Sequence, residues 1–284
     1  MKILDNMNIY VLGSNGMLGS YTLKYLSLKF NVTSINRDKI DASNSTEDSI
    51  GNTLKLLKIK SGDVIINCIG SIKPRVLELG DLNAIKVNSI FPRLLANACE
   101  TLGIKLIHPT TDCVYSGLKG SYNEKDGRDA TDVYGMTKAL GEPNNCTIIR
   151  TSIIGEEINQ KRSLIEWVKS NKNSEIYGYT NHFWNGITCL EFAKICKKII
   201  IGNLYWNGVR HVHSDVYSKY ALLELINKNY ELGIKIVPKI PRNYCDRTIS
   251  TIHEKFLNKL NIIPLKKQIK ELKKFSKILY TKDE

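Results

Sequence analysis

The chain has 284 residues, 42% of them hydrophobic and 24% charged, enough to bury a full core in one or two domains. No apolar run approaches the roughly 20 residues that cross a bilayer, which argues against a membrane partner. Lysine and arginine outnumber aspartate and glutamate 41 to 28, but no zinc-finger spacing or RNP-type aromatic motif accompanies the excess, so a nucleic-acid partner is not expected.

The first half alternates strand and helix patterns. "MKILDNMNIYVLGSNG" reads as a first strand running into a glycine loop, not as a signal peptide. A helical pattern follows from Met17 to about Lys29, then the strand "NVTSIN" and a polar helix carrying Ile50, Leu54 and Leu57. "DVIINCIG" is a buried strand, an amphipathic helix spans Ile85 to Leu102, and "KLIHPT" and "CTIIRTSIIG" supply further strands. Strands separated by helices predict βαβ units on a parallel sheet, and apolar runs such as Val64–Ile66 and Ile148–Ile149 suit strands covered on both faces. The fold class expected is therefore α/β, a Rossmann-type doubly wound sheet with a smaller α/β lobe.

Beyond Gly155 the pattern loosens. Helices are expected at Leu164–Val168, Leu190–Ile200 and Tyr220–Ile226, with short strands at "VRHVH" and "IKIVP". In "LKKQIKELKKFSKILYTK" the lysines form a solvated helix face opposite Leu265, Ile269, Leu272 and Ile278. We assign residues 1–153, with roughly 185–215, to a dinucleotide-binding lobe, and 154–184 and 216–284 to a substrate lobe. Seven scattered cysteines without a C-x-x-C pair predict reduced thiols in a cytoplasmic protein, with no disulfide framework and no metal. His211 and His213, two apart on an expected strand, share a face, and we read them as buried histidines rather than ligands.

"GSNGMLG" sets Gly13, Gly16 and Gly19 between a strand and a helix, where backbone N–H groups at the helix start can hold a pyrophosphate. At the end of the second strand, "SINRDK" presents Arg37 where NAD-preferring sites carry an acid, which favours NADPH, with NADH as the alternative. Lys39 is a candidate to share that role. "DVYGMTKALGE" places Tyr134 and Lys138 on one helix face, so the ammonium should favour the phenolate and lower its pKa. Thr110 and Thr111 follow a strand at the carboxyl edge of the sheet. A hydroxyl there can bind a substrate carbonyl oxygen or cap local backbone.

The ordered set "VLGSNGMLG", "NCIG", "HPTTDCVYSG", "DVYGMTKALGE", "IIRTSIIG", "GYTNHFWNGIT" and "VRHVHSDVYSKY" resembles the extended short-chain dehydrogenase/reductases, and within them the dTDP-4-dehydrorhamnose reductase group. The resemblance implies an NADPH-dependent reductase of the 4-keto group of a nucleotide-linked 4-keto-6-deoxyhexose, serving deoxysugar synthesis, with a homodimer allowed for. It implies a catalytic set of Thr111, Tyr134 and Lys138. The cofactor would be lined by Gly13, Asn15, Gly16, Met17, Leu18, Arg37, Asp41, Ala42, Cys68, Ile69, Gly70 and Thr110, together with Tyr134 and Lys138. The sugar would face Thr111, Asp112, Cys113, Ile153, Asn181 and Phe183. Phe183 and Trp184 also read as packing residues.

Three departures fall in the sugar-facing half: Ile153 where rhamnose-forming members carry an aromatic residue, Gly186-Ile187-Thr188 for a G-x-P-T pattern, and "CDRTIST" for an R-P segment. Cys113 matches an acid–base cysteine of bifunctional 3,5-epimerase/4-reductases, but Trp167 stands where their lysine would be. A second alternative is a non-catalytic dinucleotide-binding subunit resembling the methionine adenosyltransferase beta subunit.

Overall fold

The computed structural model describes residues 7–157 and 161–280. Strands β1 (Ile9–Leu12), β2 (Val32–Ile35), β3 (Val64–Asn67), β4 (Lys105–Thr110) and β5 (Thr147–Arg150) join an edge strand, Gly208–His211, in a wholly parallel six-stranded sheet. Its order is β2-β1-β3-β4-β5-edge. From β1 the chain moves first to β2 on one side and then to β3 on the other. That reversal opens a crevice beyond the carboxyl ends of β1 and β3, where open α/β sheets bind ligands.

Alternation along the strands feeds two cores. Tyr10, Leu12, Ile65, Leu106 and Ile148 pack on one side of the sheet with Leu54 of helix α2 (Glu47–Leu56) and Leu95 of helix Phe91–Thr101. Ile9, Val64, Ile66, Ile107 and Ile149 pack on the other with Phe192, Ile195 and Ile199 of helix Cys189–Ile201. Every residue of β1, β3 and β5 is buried, as their unbroken apolar runs require.

Several elements differ from the sequence reading. The helix expected over Ile85–Leu102 opens as a π-helical turn at Ile85–Ile90 and runs on as Phe91–Thr101, and it is preceded by two short helices that sequence did not single out, Lys73–Leu79 and Asp81–Ala84. The π turn sets Asn88 inward, where its side chain bonds both Ser71 N and Ser71 O. "CTIIRTSIIG" divides into β5 and a short strand, Ile153–Ile154, which pairs with Ile187–Thr188 in a separate sheet. "IKIVP" is a strand, Lys235–Lys239, and its parallel partner is Glu175–Tyr179, which sequence did not single out. On the C-terminal helix Leu265–Tyr280, Leu265, Ile269 and Leu272 are buried as expected, but Ile278 is 51% exposed. Phe275 continues the buried stripe and Leu279 packs against the same core, because a 3.6-residue repeat carries 278 off the seam. The edge strand ends at His211, so His213 lies beyond it and the two histidines do not share a strand face. His211 is fully buried and His213 only partly.

Candidate active site

The glycine loop is held by backbone contacts. Gly13 adopts φ +74°, and a Cβ there would lie 2.9 Å from the carbonyl carbon of Cys68. At Gly19 a Cβ would come within 2.2 Å of Gly13 O, so the first turn of helix α1 (Met17–Ser27) can approach the loop only without a side chain. Gly16 caps α1 with no side-chain cap bond and no acid in the first turn, leaving its N–H groups suited to an anionic phosphate.

Two adjoining cavities, of about 460 and 440 Å³, run along the carboxyl edge of the sheet and share Asn15, Gly16, Ile69, Gly70 and Arg75. The outer one is bounded by Gly13, Arg37, Asp41 and Ala42. The inner one is bounded by Met17, Leu18, Cys68, Thr110, Thr111, Asp112, Cys113, Tyr134, Lys138 and Ile153. Every residue assigned by sequence to the catalytic and cofactor sets therefore borders this cleft. Asn181 and Phe183 do not. Asn181 donates to Pro241 O, and Phe183 sits in a three-stranded sheet (Tyr217–Ser218, His182–Trp184, Cys245–Asp246) with its ring against Tyr244. Trp184 is buried, as a packing residue should be.

Arg37 is exposed and forks onto Asp41, with Nε 3.3 Å from Oδ1 and Nη2 3.4 Å from Oδ2. Burial pushes the Asp41 carboxyl up, but hydrogen bonds from Ser43 N, Asn44 and Arg37 outweigh it and hold it below its ordinary value.

The helix Val133–Leu140 is capped by Asp132, whose carboxylate accepts from Gly135 N and pairs with Lys73 at 2.7 Å. It packs tightly: a Cβ on Gly135 would lie 2.2 Å from Cys113 O, and one on Gly141 would lie 1.7 Å from Asn88 O. This brings Tyr134 against the Thr111–Cys113 turn. Lys138, 7% exposed, donates to Pro109 O at 3.3 Å. Burial lowers its pKa to about 8, while Glu142 and Cys68 pull it back up.

The expectation for Tyr134 is corrected. Burial raises the phenol well above its ordinary value, Cys113, Asp112 and Asp132 raise it further, and its side-chain contact with Thr111 offsets only part. Thr111 itself is doubly engaged, its hydroxyl donating to Asp112 Oδ1 and accepting from Cys113 N, both at 3.1 Å. Cys113 is half-buried beside the cleft, its thiol pushed up to about 12 by burial and then by Asp112. Trp167 is 45% exposed and does not border the cleft.

Sequence reasoning missed Arg75, Asn36, Asn83, Ser152 and Glu157, all at the cleft wall. They lie on loops and helix starts after the strands, where no periodicity marks them. For Asn36 and Ser152 the available signal was position, just past a strand's carboxyl end.

The family model for the RmlD substrate binding domain matches residues 7–176. The chain belongs to that family. This RmlD-family chain is 30% identical over 139 residues to a dTDP-4-dehydrorhamnose reductase of Mycobacterium tuberculosis, an alignment covering 47% of the chain and 44% of that protein. The chain thus spans less than half the length of that relative. A dTDP-4-dehydrorhamnose reductase of Aggregatibacter actinomycetemcomitans is 27% identical over 218 residues, 72% of each chain. The fold matches the crystal structure of dTDP-4-dehydrorhamnose reductase from Bacillus anthracis in complex with NADP, with a TM-score of 0.77 and 18% identity, covering 95% of this chain and 99% of that one.

Among the described residues, no helix is long and apolar enough to cross a membrane. All seven cysteines are free thiols.

Proposed function

We propose that this chain reduces the 4-keto group of a nucleotide-linked 4-keto-6-deoxyhexose with NADPH. The observation that carries the reading is the convergence of Thr111, Tyr134 and Lys138 in one cleft whose other end is the glycine loop and Arg37. The glycine cradle and the start of α1, free of any side-chain cap, fit a pyrophosphate, and Arg37 is a cation available to a 2′-phosphate. The reduced dinucleotide, when bound, supplies the hydride.

The chain's own groups do the rest. Tyr134, held as a neutral phenol, donates its proton to the sugar oxygen as charge develops there. Thr111 supports that oxygen with its hydroxyl, turning from Asp112 to do so. Lys138, anchored on Pro109 O and one helical turn from Tyr134, carries the cation that stabilises the phenolate left after transfer. Asp112 and Ile153 face the sugar. The reading includes a dinucleotide-binding lobe, a substrate-binding lobe and a reaction in the cytoplasm.

The test is NADPH oxidation by the purified protein against dTDP- and UDP-linked 4-keto-6-deoxy sugars, with and without a 2-acetamido group. Consumption with one of them is expected. A protein that neither binds NADP(H) nor consumes it with any of these sugars would refute the proposal.

A further inference from the structure

Behind Lys138 the hydrogen-bonding ledger of β4 does not close. The Ile69 N–H donates to Asn67 Oδ1 at 3.1 Å, which fixes the Asn67 amide so that its Nδ2 is a donor. That Nδ2 lies 3.2 Å from His108 Nδ1, which must then be the acceptor. The His108 proton is therefore on Nε2. His108 is 1% exposed, and its Nε2 has no partner among the described residues. Burial, and then Lys138, hold its pKa well below the ordinary histidine value, so the ring stays neutral and the tautomer stands.

Two residues on, the Thr110 hydroxyl is also buried without a partner. His108 and Thr110 point to the same side of β4, their Cα atoms roughly 7 Å apart at about 3.3 Å per residue. Between them is Pro109, whose carbonyl accepts from the Lys138 ammonium. An unpaired donor, an unpaired hydroxyl and the carbonyl that anchors the ammonium are thus carried by three consecutive residues. A buried donor left unpaired costs about 1–3 kcal/mol, and a water with about three polar partners is the usual remedy.

We propose that His108 and Thr110 hold one ordered water against the Lys138 ammonium, which makes His108 a positioning residue for that lysine. The water's oxygen accepts from His108 Nε2 and from Lys138, and one of its hydrogens goes to the Thr110 hydroxyl. The other charged or titratable groups acting on Lys138 are Glu142 and Cys68. The inference concerns the site of the proposed reductase but does not need turnover to be tested.

A high-resolution crystal structure of the full chain should show a water within hydrogen-bond distance of both His108 Nε2 and Lys138 Nζ. Absence of that water overturns the proposal. His108→Asn keeps an acceptor for Asn67 and removes only the far donor, whereas His108→Gln keeps a donor at the far position. Titration of Lys138 by NMR with ¹³C-labelled lysine should give a lower pKa in His108→Asn, by about half a unit or more, because the ammonium loses a fixed acceptor. His108→Gln should stay near the parent protein. An unchanged Lys138 titration in His108→Asn also overturns the assignment. Failure of NADPH oxidation with a normal Lys138 titration would instead sink the reductase reading.

Discussion

Glu142→Gln tests whether the site rests on a buried ion pair. Arg150, at the end of β5, is 4% exposed and forks onto Glu142, with Nε 2.9 Å from Oε1 and Nη2 2.6 Å from Oε2. Its Nη1 meets the Tyr115 hydroxyl at 2.6 Å and His211 Nε2 at 2.8 Å. Neutralising Glu142 leaves a desolvated guanidinium with hydrogen-bond partners but no counter-charge. Breaking such a pair costs about 3–5 kcal/mol, and the glutamine recovers about 1 kcal/mol through one retained bond. We expect a net loss of about 3 kcal/mol, read as a lower urea midpoint with an unchanged slope. The double variant Glu142→Met/Arg150→Met should sit closer to the parent than Glu142→Gln does, because no charge is then stranded. Glu142 also favours the Lys138 ammonium, so Glu142→Gln should lower the Lys138 pKa further below its ordinary value. A stability loss under about 1 kcal/mol for Glu142→Gln would refute the reasoning, since a buried pair of this geometry cannot be that cheap to break.

Gly13→Ala forces a Cβ to 2.9 Å from the Cys68 backbone at φ +74°. NADPH affinity by fluorescence titration should drop about tenfold or more, equal to about 1.4 kcal/mol. Tyr134→Phe should bind NADPH within about threefold of the parent yet lose turnover by at least about a hundredfold, the usual worth of a positioned proton donor. Equal loss of binding would point to a packing role instead. His211 has a folded pKa lowered to about 4 by burial and then by Arg150. Between pH 6.5 and about 4 the unfolded chain binds a proton that the folded chain refuses, so stability falls on acidification through that window. Urea titrations across it should show a loss of up to about 3 kcal/mol, which His211→Gln would largely remove.

The sheet was legible because its strands are short, fully apolar and punctuated by glycine, and because β1 runs straight into a glycine loop. The Tyr134 and Lys138 pairing was legible because a four-residue spacing fixes a helix face whatever surrounds it. What sequence could not give was the path of the chain between strands. The π turn at Ile85–Ile90 has the same apolar content as a plain helix, so nothing in its composition announces that Asn88 turns inward. Arg75 borders both cavities because the helix Lys73–Leu79 starts beyond β3, and its position was visible only once the sheet order was known. Asn181 and Phe183 were drawn from a resemblance whose second-lobe motifs this chain has altered, and there the structure places Phe183 in a separate sheet and Asn181 just before its strand, bonded to Pro241 O.

The correction at Tyr134 bears on the direction of the chemistry. A lysine four residues on was expected to make the phenol acidic. One ammonium is set against the cost of burying the phenolate beside Cys113, Asp112 and Asp132. Desolvation also weakens the lysine, whose pKa falls to about 8, so the cation that should favour the phenolate is itself disfavoured. A phenol held neutral is a proton donor, the role reduction of a ketone needs, and it is a poor base for the reverse oxidation. The proton leaves only when negative charge grows on the substrate oxygen close by, which ties transfer to the reacting state. Oxidation of the corresponding alcohol should therefore need alkaline pH to proceed, whereas reduction should run at neutral pH and decline above about 8 as Lys138 loses its proton. A reduction rate that rises steadily from pH 7 to 9 would show that the ammonium does not support the transfer.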